Sequence, residues 1–396
     1  MKIKYVFIVI AIFYIQAIKA QAYKKLHNKA ILVDTHNDIL TRCFELGVSF
    51  DENLKGKTQS DLRRFAEGGV DVQVFSIWCD GKKEHPYHYA RRMIDTLYAT
   101  AERHPDKIKI VTSSKELMKT VKQKKLAAMI GVEGGHMIEN DINNVDTLFK
   151  MGARYMTLTW NNSTPWATSA MEETNDSLLH QPKGLSDYGK QIIRRMNELG
   201  MMIDLSHTGE KTFWDVMANT TKPVLISHSC VYTLCPVFRN LKDDQIKAIG
   251  KNGGVIDINF YNGFLDSNYF KREKAFWLQH KEEKDSLLKI NPDEDVASAL
   301  IENEFKNEWY VIRPPLSMII DHIDYIVKLI GINHVGIGSD FDGVGNATPQ
   351  QLDDVTGYPL VTKALLDRGY SRKDILKILG GNFLRLLKAN ENISGN

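Results

Sequence analysis

Six residues bring imidazole or carboxylate chemistry to the same kind of address in this chain. His36 and Asp38 stand two apart, just past the apolar run 30–34. On extended backbone, residues two apart project to the same side, so this pair can grip one cation together. Glu133 closes the run 127–132, His207 follows 201–205, His228 follows 223–227, and Asp340 follows 334–338. An ionisable side chain is costly inside an apolar core, so its recurrence at the C-terminal ends of such runs calls for a polar meeting point. Three imidazoles and three carboxylates gathered there can hold two divalent ions, with one carboxylate bridging them. Imidazole and carboxylate without thiolate suit Zn, and Mn, Co or Fe are compatible. Two ions lower the pKa of a shared water and make hydroxide available near neutral pH. Asp38, Glu133, Asp340 and one hydroxide would balance their charge. The bland alternative, turn-capping polar residues at strand ends, explains any one of the six but not all together.

These residues need a scaffold that brings strand ends to one place. Eight short apolar, β-branched segments stand out: 30–34, 70–77, 127–132, 153–159, 201–205, 223–227, 254–260 and 334–338. The gaps carry helical periodicity, as in 141–151, 186–199, 212–219, 243–251 and 318–330. Strands alternating with helices form a parallel sheet, and eight repeats predict a closed (β/α)8 TIM barrel of the metal-dependent hydrolase type. An open doubly wound sheet is the main rival. In a barrel the C-terminal strand ends converge on one mouth, where catalytic residues collect. One charged stretch breaks the cadence and reads as a helical insertion after the seventh strand, at about 265–312. It rises from the mouth side, as a lid or as solvated ornament.

Composition sets the outer limits. The chain has 396 residues, 43% hydrophobic and 25% charged, which excludes a disordered tail, a collagen-like fibre and a small disulfide-stapled module. Lys plus Arg number 51 against 49 for Asp plus Glu, so no nucleic-acid footprint is present. Residues 1–20 read as a secretory signal peptide: Lys2 and Lys4, an apolar run to Ile15, then Ala20-Gln21-Ala22. Its removal would leave residues 21–396 as a single catalytic domain, exported to a periplasm or secreted. The run is short for a membrane span, so no stable anchor is expected after cleavage. Four Cys (Cys43, Cys79, Cys230, Cys235) specify no disulfide by spacing. Gly184–Lys190 mimics a phosphate loop, but Gln191 occupies the Ser/Thr position, and Ser186 reads as a helix cap. His85-Pro-Tyr-His88 lies in a polar loop and reads as surface.

Taken together, the motifs resemble the membrane (renal) dipeptidase family, a branch of the metal-dependent amidohydrolase barrels. The matching stretches are Asp34–Asp38, Gly131–His136, Leu158-Thr159 with Thr164–Trp166, Gly184–Ser186, Ile203–His207, Ser227–Ser229, Arg239-Asn240 and Asp340–Gly343, spread over about residues 30–390. The resemblance implies a dipeptidase with two Zn2+ per chain. His36 and Asp38 would bind one ion, His207 and His228 the other, and Glu133 would bridge. Asp340 would be the general base and then the acid that protonates the leaving amine. Arg239 would hold the C-terminal carboxylate of a small dipeptide through paired hydrogen bonds. Tyr261, at the end of the seventh strand, would assist in the substrate pocket. The resemblance is also compatible with a homodimer.

Two departures from the family stand out. Mammalian members place His directly after the Leu-Thr of the fourth strand to stabilise the tetrahedral intermediate; here that position is Trp160, which donates a hydrogen bond but carries no charge. Asn161 or Asn162 are the neighbouring candidates for that role. The mammalian disulfides and C-terminal lipid-anchor signal are not reproduced. Cleavage of dipeptides is thus the expectation, with two rivals: an amidohydrolase acting on cyclic amides or lactams, and a noncatalytic metal- or ligand-binding barrel.

Overall fold

In the computed structural model, residues 22–392 are described, apart from Asp176. The signal-peptide segment 1–20 lies outside the described residues. Nine strands are present among them: β1 (Val33–Asn37), β2 (Val72–Ile77), β3 (Ile108–Ile110), β4 (Leu126–Glu133), β5 (Ala153–Thr157), β6 (Met202–Asp204), β7 (Leu225–Ser229), β8 (Val255–Ile258) and β9 (Val335–Ile337). All pairings are parallel, in the order β1-β2-β4-β5-β6-β7-β8-β9. The ring closes at the mouth, where Asp38 donates its N–H to the Phe341 carbonyl at 2.9 Å and Asp340 donates to that of His36 at 3.1 Å. The expected eight-stranded barrel is therefore the fold. The short β3 is extra: it pairs with the first residues of β4, on the edge that β5 takes further along.

Alternation along β4 shows how the sequence builds floor and mouth on one strand. Ala128, Ile130 and Val132 face outward into the core between strands and helices. Ala127 and Met129 face the barrel interior with Val33, Val72 and Val255. Phe383, Leu386 and Leu387, from the helix Asn382–Asn390, pack onto those residues and plug the end opposite the mouth. Gly131 comes next inward, and a Cβ there would overlap the Tyr155 ring. Glu133 completes the interior row at the mouth. A single strand thus runs from apolar floor to carboxylate rim in steps of two residues.

Several elements stop earlier than periodicity predicts. β6 ends at Asp204 and β9 at Ile337, so His207 and Asp340 sit three residues beyond their strands, both with φ of 63°. Those left-handed turns re-aim the side chains toward the barrel axis. After β8 the chain forms helices over Tyr269–Gln279, Lys281–Ile290, Glu294–Glu304 and Lys306–Ile312, the insertion expected after the seventh barrel strand. Phe276, Ile301 and Trp309 give it a small core of its own. Ser186 caps the helix Asp187–Leu199 by accepting the Gly189 N–H at 3.2 Å, as the cap reading of that loop predicts. None of the described helices is long and apolar enough to cross a membrane.

Replacing Gly131 by Ala should force the Tyr155 ring to move, at a cost of about 1–3 kcal/mol. A denaturant midpoint equal to that of the parent protein would show that the interior has slack there.

Candidate metal centre and active site

The predicted site residues converge. Glu133 is the midpoint: one carboxylate oxygen, Oε2, lies 3.2 Å from His36 Nε2, and the other, Oε1, lies 3.1 Å from His207 Nε2 and 3.6 Å from His228 Nε2. Asp38 and Asp340 approach His36 Nε2 at 3.4 and 3.9 Å. Ligand atoms fall into two clusters that share one imidazole, His36/Glu133/His228 and His36/Asp38/Asp340. Among the described residues no such cluster involves His85 or His88.

Hydrogen bonds around the imidazoles fix their tautomers. The Tyr155 hydroxyl donates to the Thr35 carbonyl at 3.0 Å, so it accepts from His36 Nδ1–H, also at 3.0 Å. Ser227 donates its hydroxyl to Asp204 at 2.6 Å and accepts from His228 Nδ1–H at 2.7 Å. Asn161 Oδ1 accepts from His207 Nδ1–H at 3.1 Å. His207 and His228 are each left with a bare Nε2 lone pair aimed at the centre, whereas His36, despite its burial, is raised well above the usual histidine range by Tyr155, Glu133 and Asp38. The lone pairs of His207 and His228 face each other at 3.0 Å. His36 Nε2 and Asp38 Oδ1 are buried without any hydrogen-bond donor. Acceptors crowded this way repel unless a cation lies among them, so the residues present fit metal ions.

Charge points the same way. Burial, then the charge of Arg239, pushes His207 down to about 3; burial, then His36, holds His228 well below the usual histidine range. Both rings are therefore neutral and suited to serve as ligands. Burial opposes ionisation of Glu133, but His36 and then His207 bring its carboxyl well below the ordinary range. Asp340 behaves oppositely. Burial, reinforced by Asp38 and Glu133, raises it well above that range, while Asn259 Nδ2 donates to its Oδ2 at 2.8 Å. Its surroundings favour the neutral carboxyl, the opposite of Glu133.

Two further carboxylates, not singled out by sequence reasoning, hold the candidate ligands in place. Asp204 accepts from Ser206 N–H, Ser227 N–H, Ser227 Oγ and Thr157 Oγ1, at 3.1, 2.9, 2.6 and 2.6 Å. Asp34 accepts from the N–H and hydroxyl of Ser339 at 2.9 and 2.8 Å, and from the Tyr358 hydroxyl at 2.6 Å. The available signal was an acid two or three residues ahead of a histidine within an apolar strand. Asp204 braces the β6–β7 side and Asp34 the β1–β9 side.

Arg239 is buried beside this centre. It donates to Ser229 Oγ at 3.1 Å and to the His228 carbonyl at 3.2 Å, while its Nε has no acceptor. Burial lowers it to about 10, so it stays charged, and no carboxylate pairs with it among the described residues. A buried, unpaired guanidinium is costly, and an anion arriving from outside would offset that cost. Arg239, Tyr261 and Trp160 all line one cavity of about 1880 Å³ together with Asp38, Glu133 and Asp340. Tyr261 stacks edge-on with Phe264 at 4.9 Å. Phe270, Glu273, Glu302 and Trp309 of the insertion line the same cavity, so the insertion forms one of its walls. All four cysteines are buried free thiols.

The sequence profile of the membrane dipeptidase family (peptidase family M19) matches residues 20–396. The chain belongs to that family. Mouse and human dipeptidase 3 are each 30% identical to it over 91% of its length. The chain spans about 65% of the length of those curated relatives. The probable dipeptidase PvdM from Pseudomonas aeruginosa superposes with a TM-score of 0.74 at 25% identity, covering 94% of this chain and 98% of that one. A metallo peptidase from Rhodobacter sphaeroides, liganded with a phosphinate mimic of L-Ala-D-Ala, superposes at 0.73 with 22% identity, covering 91% and 100%. In this member of the family the imidazole tautomers depend on residues behind the ligands. Tyr155→Phe should therefore weaken metal binding about 10- to 100-fold without unfolding the protein. Competition against a chelator measures this, and unchanged affinity would remove Tyr155 from the site.

Proposed function

We propose that this protein is a zinc-dependent dipeptidase that cleaves the single peptide bond of a small dipeptide. The observation that supports this most is the placement of Glu133, one oxygen toward His36 and the other toward His207 and His228, in the cavity that also holds the unpaired Arg239. His36 and Asp38 would hold one zinc ion, His207 and His228 a second, and Glu133 would lie between them. Bound there, the ions supply a hydroxide near neutral pH and polarise the scissile carbonyl.

The remaining work falls to the chain. Arg239 pairs with the substrate's terminal carboxylate, which offsets its own buried charge and sets the distance from that end to the scissile bond. An internal residue of a longer peptide has no carboxylate to offer, so chain length is selected by the same contact. Asp340, steadied by Asn259, takes up a proton and then returns it to the leaving amine. Burial favours the protonated form of Asp340, which suits it to the second step. Cyclic amides and lactams that lack a free carboxylate leave Arg239 unpaired, which favours dipeptides over that rival.

Elemental analysis after zinc-replete purification should find about two divalent ions per chain, and a value near zero would end the metal reading. Asp340→Asn should keep its metal while kcat drops by roughly 10²–10⁴; turnover near that of the parent would exclude Asp340 from proton transfer. Arg239→Ala should raise KM for dipeptides far more than it lowers kcat. If steady-state kinetics show no change in KM, the carboxylate is bound elsewhere.

A further inference from the structure

The barrel order places two walls of the mouth face to face. Among its eight strands, β2 is four places from β7, directly across the ring. Arg239 is tied to the end of β7 through Ser229 and the His228 carbonyl. Trp78 is the first residue beyond β2, and Trp160 lies three residues beyond β5. The two indoles meet edge to face, centroids 5.0 Å apart, and Trp160 lies 6.4 Å from the His207 ring. Both line the cavity.

The loops that carry them are held from behind. The Trp78 carbonyl accepts from Thr41 Oγ1 at 3.2 Å, and that of Cys79 accepts from His136 Nε2 at 3.0 Å. Gly81 packs so closely on the Asn162 amide that a Cβ there would overlap it. The loops after β1, β2, β4 and β5 thus brace one another, and the indole pair is preorganised rather than free to collapse.

Resting on the dipeptidase reading, we infer that the Trp78–Trp160 pair is the recognition wall for the side chain of the dipeptide's first residue, and that it selects large apolar or aromatic side chains. The geometry forces the direction. With the terminal carboxylate on Arg239 at the β7 side and the reacting carbonyl over Glu133, the first residue extends toward β2 and β5. A side chain there covers indole surface that a first-position glycine leaves in water. Trp160 stands where the family resemblance expects a histidine, so this wall belongs to this chain rather than to the shared ligand set.

The test compares Phe-Ala with Gly-Ala. In the zinc-loaded parent protein, kcat/KM should favour Phe-Ala by about tenfold or more. Trp78→Ala and Trp160→Ala should bring that ratio to within about twofold of unity, and Trp160→Phe should keep most of it. No preference in the parent protein, or equal losses on both peptides in the alanine variants, overturns the wall. The same peptides are also titrated by calorimetry into zinc-loaded Asp340→Asn protein, with and without Trp160→Ala. The Kd ratio should favour Phe-Ala and shrink on loss of the indole; equal Kd values in both proteins overturn the proposal. If the parent hydrolyses neither peptide, the dipeptidase reading fails, and the calorimetric ratio still decides the wall.

Discussion

Everything at the mouth of this barrel depends on holding hydrogen-bond acceptors closer together than they would choose to be. Three imidazole Nε2 atoms and the carboxylates of Asp38, Glu133 and Asp340 point at one small volume. Left to themselves they would separate or take up protons. The protein prevents this from below. Asp204 and Asp34 each collect several donors, and those donors are the backbone and hydroxyl groups flanking His228, His207, His36 and Asp340. The crowding is thus held by buried hydrogen bonds, those of Asp34 to residues far along the chain. Fully satisfied buried networks rigidify what they hold, and this one fixes the residues that would bind cations.

The Tyr155 hydroxyl shows how deep this arrangement reaches. It passes a hydrogen bond from His36 to the Thr35 carbonyl, and the ring needs the missing side chain of Gly131 to lie flat in the interior. One glycine in β4 therefore connects barrel packing to the hydrogen bonding of His36, two strands away. Packing and chemistry are not separate layers in this molecule.

The candidate ligands are legible because each is a charged or imidazole side chain closing an apolar run, a pattern that core energetics alone disfavours. The helices between them were equally plain, since Ser186–Leu199 and Met318–Ile330 repeat at helical spacing. Strand ends were less so: His207 and Asp340 look like the last residues of their runs, but both sit in left-handed turns past the ladder. β3 escaped notice because Ile-Lys-Ile is too short for any period to register. Asp34 and Asp204 sit inside the recognised motifs without a readable role: Ser339 and Tyr358, which bind Asp34, are far along the chain, and Ser227 and Thr157, which bind Asp204, come from neighbouring strands. No local pattern encodes a contact across three hundred residues. The position of Trp160 was readable, yet its companion Trp78 became visible only when β2 and β5 came to flank β4.

The terminal helix that plugs the barrel floor has a consequence for access. With Phe383, Leu386 and Leu387 filling that end, the central chamber is a cul-de-sac. Whatever enters past the helical insertion leaves by the same doorway. Arrival and departure then share one passage.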